Sequence, residues 1–181
     1  MVEATLEMGS RSVAHQAFVR LADRELHRAY RMAGLILGNQ HDAEDATQDA
    51  LVRAWAAAGG LHSWDDFQAW FDRILVNVCR DRLRRRRLVR FIPMGSEHDR
   101  PTRDQFQQIF AEDELLRAMS DLDVDLRTVI VLRYWADLPV DAIARRIGAP
   151  SGTVKSRLSR ALAVMRSSMQ QARATGGEAT R

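Results

Sequence analysis

LPVDAIARRIGAPSGTVKSRLSRALAVM, residues 138–165, sets the reading of the whole chain. A short helix is predicted to carry Ile143 and Ile147 inward and to reach Gly148, which can turn left-handed without a Cβ clash. Ser151 is the expected cap of a second helix, along which Val154, Leu158, Ala161, Leu162 and Met165 share one face. Thr153, Lys155, Ser156, Arg157, Ser159 and Arg160 are left to the other side. In a helix-turn-helix the N-terminal half of the second helix enters the major groove. Small residues there allow close approach, and Lys or Arg can read guanine O6 and N7. An ordinary helical hairpin with a charged outer face would share the apolar spacing. Repressors and response regulators also use this hairpin, so the rest of the chain must decide.

Outward from that segment, composition narrows the choice. The 181 residues are 46% hydrophobic and 28% charged, with only 10 glycines and 4 prolines, which suits an all-α chain. Cys79 is the single cysteine, so neither an internal disulfide nor a cysteine-based zinc cluster can form. The N-terminal MVEATLEMGSRS lacks a signal-peptide core, and no run of ~18 apolar residues occurs. A cytoplasmic protein without a membrane span is expected. Net charge is only +3, but its sign is segregated. Arg73 to Arg90 holds eight arginines against Asp81 alone, and Arg127 to Arg173 nine basic residues against Asp137 and Asp141. Glu97 to Asp125 holds nine acids and three arginines. Two basic blocks flanking an acidic one suggest two surfaces that meet a polyanion, although a single charge run is commonly just a solvated face.

The periodicity predicts two helical sets. Phe18, Leu21, Leu26, Tyr30, Ala33 and Leu37 recur at helical spacing over 13–37, and Gly38-Asn39 reads as a stop. Asp42 is the expected cap of a second helix running to about Ala58, with Ala46, Ala50, Leu51, Val52 and Trp55 as its apolar residues. Ser63, with Asp66 three residues on, is the expected cap of a third, about 65–89. Phe67, Trp70, Phe71, Ile74, Leu75 and Val78 form its buried face. Three such helices make one small bundle over 13–90. An acidic linker over 91–110 follows, then a second helical domain over 111–170. Helices are expected at about 105–119, overlapping the end of the linker, and at 126–135, 140–147 and 151–169. Residues 1–12 and 171–181 are expected to be disordered.

Among the remaining motifs, DAEDATQDALVRAW (42–55) stands out because its exposed face has no catalytic logic. Acids in the first turns are favourable at a positive helix N-terminus. Asp45, Gln48, Val52 and Trp55 fall along one side, with Asp49 beside them. A mixed acidic, amide and apolar stripe suits docking on another protein. Downstream, in FQAWFDRILVNVCRDRLRRRR (67–87), Arg73, Asn77, Arg80 and Arg84 lie three and four residues apart and form one polar stripe. Arginine holds phosphate, and an amide can hydrogen-bond a base edge.

At this point the chain resembles the extracytoplasmic-function sigma factors of bacterial RNA polymerase. Ala43, Glu44, Asp45, Gln48, Asp49, Arg53 and Trp55 match the family's polymerase-binding segment. Ala46 and Leu51 depart from it, being smaller than the usual residues. Trp70, Ile74, Asn77, Asp81 and Arg84 match the helix that follows, with Phe71 replacing a leucine. SDLDVDLRTVIVLRYWADLP (120–139) and GAPSGTVKSRLSRA (148–161) match the second domain, with Pro139 where the family places a serine cap. The resemblance spans about 14–90 and 112–168.

The resemblance implies an all-α fold of two small helical domains joined by an extended linker. Core RNA polymerase (its β and β′ subunits) would bind through Asp45, Gln48, Asp49, Val52 and Trp55. The −10 promoter element would be met as single strand by His62, Ser63, Trp64, Arg73, Asn77, Arg80 and Arg84. The −35 element would be met as duplex by Ser151, Thr153, Lys155, Ser156, Arg157, Ser159 and Arg160. The acidic linker would thread toward the polymerase channels, and an anti-sigma factor would be a further partner. No cofactor or metal and no catalytic residue is implied. His15, His27, His41, His62 and His98 are scattered, without metalloenzyme spacing, and Cys79 has no partner histidine motif. A ligand-responsive repressor would need a sensor domain, and an adaptor would not need two DNA-reading surfaces.

Overall fold

A computed structural model describes residues 2–58, 61, 63–90 and 114–178, with side chains placed between 15 and 85 and between 114 and 172. Among the described residues every regular element is helical. Helix α1 spans Val2–Leu37, α2 Gln40–Ala57 and α3 Phe67–Arg90, with a 3₁₀ turn at Trp64–Asp66 leading into α3. The second half holds α4 (Glu114–Ser120), α5 (Val124–Ile130), a π-helical turn (Val131–Trp135), α6 (Val140–Ile147) and α7 (Ser151–Glu178). The expected linker, 91–110, lies outside the described residues.

Several boundaries differ from the sequence reading for local reasons. Helix α1 begins at Val2, not near residue 13; the added segment has no proline to stop it. Helix α7 likewise runs on to Glu178. Asn39, not Asp42, caps α2, its side-chain oxygen accepting from the Asp42 N–H at 2.8 Å. Gly38 turns with φ +79°, as the stop signal requires. Ser63 does cap the turn before α3, accepting from the Asp65 N–H. Ser151 does not cap α7. The Pro150 carbonyl receives the Thr153 and Val154 N–H groups, and the Ser151 hydroxyl donates to Asp141 (2.6 Å).

The first bundle packs α1 and α3 against a seam of alanines on α2. Ala43, Ala46, Ala50 and Ala54 are buried there, and their small side chains let Phe67, Phe71, Leu75 and Val78 of α3 fill the space with Met32 and Ile36 of α1. Phe67 and Phe71 stack at 5.7 Å, and Phe18 meets Phe67 edge-on at 5.6 Å. Leu26 and Val52, expected on apolar stripes, are exposed, while Trp70 and Ile74 are only partly buried. In the second half Leu132, Ile143, Val154 and Ala161 are fully buried, whereas Leu162 is exposed. The two sets share one continuous apolar core, because α3 lies against α6 and α1 against α5 and the π turn.

Candidate functional site

The outer face of α2 is the first element. Buried Ala46 and Ala50 turn Gln48, Val52 and Trp55 toward solvent, Val52 at 69% exposure and Trp55 at 48%. Trp55 is braced edge-on by His15 (4.8 Å) and Phe18 (5.1 Å). With Val19 and Leu26 of α1 it borders an apolar groove of about 430 Å³. Asp45 and Asp49 are not free acids. Arg82 of α3 donates Nη1 to Asp45 (3.2 Å) and Nη2 to Asp49 (2.6 Å). Partial burial opposes the charge on Arg82, but these two carboxylates outweigh it and raise the guanidinium above its ordinary value. The face is therefore an anchored acid pair beside an exposed apolar rim, and helical spacing within α2 gives no sign of the arginine.

On α3, Arg73, Asn77 and Arg84 stand exposed. Arg80, expected in the same stripe, does not. Its Nε donates to Asp125 at the start of α5 (3.0 Å) and its Nη1 to the Ile147 carbonyl at the end of α6 (3.2 Å). Trp64 is partly buried and stacks near Phe67 at 6.4 Å, and Ser63 is half-buried at its capping position. His62 lies outside the described residues. Cys79 lies on the buried side of this same helix, and burial pushes its thiol up to about 12, so it is an inert core residue.

The helix-turn-helix closes as the sequence predicts at its turn. Gly148 adopts φ +64° and its N–H bonds back to Ala144. With Val154, Ala161 and Met165 buried, Lys155, Ser156, Ser159 and Arg160 stand exposed on the other side of α7. Ser151 and Thr153 are half-buried at the helix start. Arg157 leaves the group, because its Nη2 donates to Asp125 at 2.9 Å. Arg133, before the turn, donates to the Leu138 carbonyl (3.0 Å) and so ties the π turn to the hairpin. Sequence periodicity gave no sign of that turn, in which the Ala136 N–H donates to Val131 five residues back (3.0 Å). It carries Tyr134 (60% exposed) and Trp135 to the rim of a second apolar groove, about 530 Å³, whose wall includes Leu35, Leu116 and Leu162.

The site thus consists of exposed cations with an amide on α3, exposed cations with hydroxyls on α7, and an acid-apolar face on α2. Among the described residues no cluster of side chains could hold a metal, and none of the helices there is long and apolar enough to cross a membrane. Residues 21–89 match the family model for sigma-70 region 2, and residues 112–165 that for sigma-70 region 4. The chain is 35% identical over 147 residues to the ECF RNA polymerase sigma factor SigM of Mycobacterium tuberculosis, covering 81% of this chain and 74% of SigM. It is 31% identical to the RNA polymerase sigma factor SigV of Bacillus subtilis, covering 76% of this chain and 81% of that protein. Its fold is similar to that of the sigma factor RpoE of Bartonella quintana, solved with the anti-sigma factor NepR. There the TM-score is 0.65 at 26% identity, over 84% of this chain and 96% of RpoE. It is also similar to CnrH, solved with the cytosolic domain of CnrY, at a TM-score of 0.63 and 25% identity, over 89% and 97% of the two chains.

The chain belongs to the extracytoplasmic-function sigma factors of RNA polymerase. It serves promoter-directed transcription initiation and is not an enzyme.

Proposed function

We propose that residues 13–90 dock on the β and β′ subunits of core polymerase and meet the −10 element, and that 111–170 hold the −35 element as duplex. Polymerase is met by Gln48, Val52 and Trp55, with Asp45 and Asp49 held in place by Arg82. An exposed apolar rim around an aromatic anchor is the usual core of a protein interface. Arg73, Asn77 and Arg84 take the −10 strand together with His62, Ser63 and Trp64. Lys155, Ser156, Ser159 and Arg160 enter the major groove, flanked by Ser151 and Thr153. Arg80 and Arg157 join as phosphate contacts once they leave Asp125. The observation that carries this reading is the solvent-open quartet on α7 directly opposite buried Val154 and Ala161. The protein works in the cytoplasm, where polymerase is, and an anti-sigma factor is its natural antagonist.

The test is transcription in vitro by core polymerase with and without the protein, on promoters varied at each −10 base. Asn77→Ala is expected to change −10 preference while leaving −35 recognition intact. An unchanged base preference would return Asn77 to a plain helix-surface amide.

A further inference from the structure

We propose that two reciprocal ion triads latch the halves of this sigma factor together, so that the free protein is closed and its Arg80 is withheld. Each triad centres on one acid. Asp72 of α3, in the first half, is held by Arg28 of its own half and receives Arg146 of α6 from the other, whose Nε donates at 3.1 Å. Asp125 of α5, in the second half, is held by Arg157 of its own half (2.9 Å) and receives Arg80 of α3 from the other (3.0 Å). The pattern is the same both times: an arginine from the acid's own half and one that crosses.

Burial makes these contacts decisive for closure. The Asp72 side chain is 1% exposed, Arg146 11% and Arg80 13%, so solvent screens them far less than a surface pair. Arg80 also reaches across to the Ile147 carbonyl, and Arg127 of α5 donates to the Ile36 carbonyl of α1 (3.2 Å), where both cations meet the negative ends of helices. Parting the halves leaves no acid orphaned. Asp72 keeps Arg28, Asp125 keeps Arg157, and the crossing arginines pass into water. A closure built this way can open without stranding a buried charge.

Replacing the central acids with isosteric amides removes two ion pairs per triad from the closed form and one, the pair within a half, from the open form. In the closed form Asn at 72 or 125 leaves Arg146 or Arg80 shielded from water with no carboxylate, while in the open form both are hydrated. The experiment compares wild type with Asp72→Asn/Asp125→Asn by small-angle scattering at physiological salt. Wild type should show the radius of gyration of the closed fold described above, and the double variant a value several ångströms larger at unchanged helical content. Asp125→Asn alone, at a partly exposed position, must also expand the protein, which keeps the test sharp where the double variant loses helicity. A wild type that is already extended, or variants as compact as wild type, would overturn the latch. A separate readout rests on the DNA-contact reading of Arg80 and Arg157: affinity for a nonspecific duplex should rise about tenfold in the double variant as phosphate contacts are released. Expansion with unchanged DNA affinity supports the latch and rejects that reading of the two arginines.

Discussion

The outer faces of α3 and α7 both carry exposed polar side chains, and each gives up one arginine to the same distant acid. On α7, Lys155, Ser156, Ser159 and Arg160 stand in solvent. On α3, Arg73, Asn77 and Arg84 do so, but Arg80, one turn from Asn77, is drawn inward by Asp125, 45 residues away. Asp125 takes Arg157 from α7 as well. Helical spacing assigns a residue to a face; whether that face is open depends on where distant acids fold. A charged stripe is thus a weaker guide to a binding surface than a stripe whose far side is shown to be buried.

The largest effect that sharpens this contrast lies beneath α3. Phe71→Ala removes a fully buried ring and should cost about 3–5 kcal/mol of stability, whereas Lys155→Ala on open α7 should stay within about 0.5 kcal/mol. Thermal or urea unfolding of both variants measures the difference, and equal losses would mean that α7 is packed where it reads as open.

A middle-sized effect is expected on α2. Trp55→Ala, and separately Asp45→Arg with Gln48→Ala, should weaken binding to core polymerase about tenfold or more, roughly 1.4 kcal/mol. Arg82→Gln should weaken it less, since it releases the acids without removing them. Pull-down and titration against core polymerase decide this, and wild-type affinity in the first two variants would move docking to another face.

The smallest effect is silent at neutral pH. Because the Cys79 thiol is held up to about 12 against an ordinary 9.0, the folded state binds this proton more tightly than the unfolded state. The contribution is fully present below pH 9 and is lost as pH rises from 9 toward 12, with a slope of at most about 1.4 kcal/mol per pH unit. Cys79→Ala should remove that part of the alkaline decline. Identical pH profiles for variant and wild type would show that the thiol is hydrated in the native protein.

Much of this was legible in the residues. The helix-turn-helix followed from Gly148 and the Val154/Ala161 spacing, and the shared side of α2 from the spacing of Asp45, Gln48 and Trp55 in one motif. The alanine seam was harder to read: Ala43 and Ala54 bury as fully as a leucine would, but carry little weight in an apolar pattern. An apolar pattern therefore points to Val52, which stands outside the seam. The π turn left no periodic mark, and with it the groove at Tyr134 and Trp135 was missed. Nothing local could have paired Arg82 with Asp45 and Asp49, or Asp72 with Arg146, because those contacts exist only once the helices have packed.

The most direct test of promoter reading by α7 compares Arg160→Ala with Arg157→Ala in holoenzyme, on a panel of −35 variants at several salt concentrations. Arg160 is exposed on the outer face, whereas Arg157 is half-buried against Asp125. Loss of a base contact costs about 1–3 kcal/mol and relaxes preference at one position, while loss of a phosphate contact weakens all sequences alike and lowers the salt slope by about one. Arg160→Ala should flatten selectivity at a single −35 base pair, and Arg157→Ala should weaken every promoter equally. Uniform weakening by Arg160→Ala, with every base preference retained, would contradict the account.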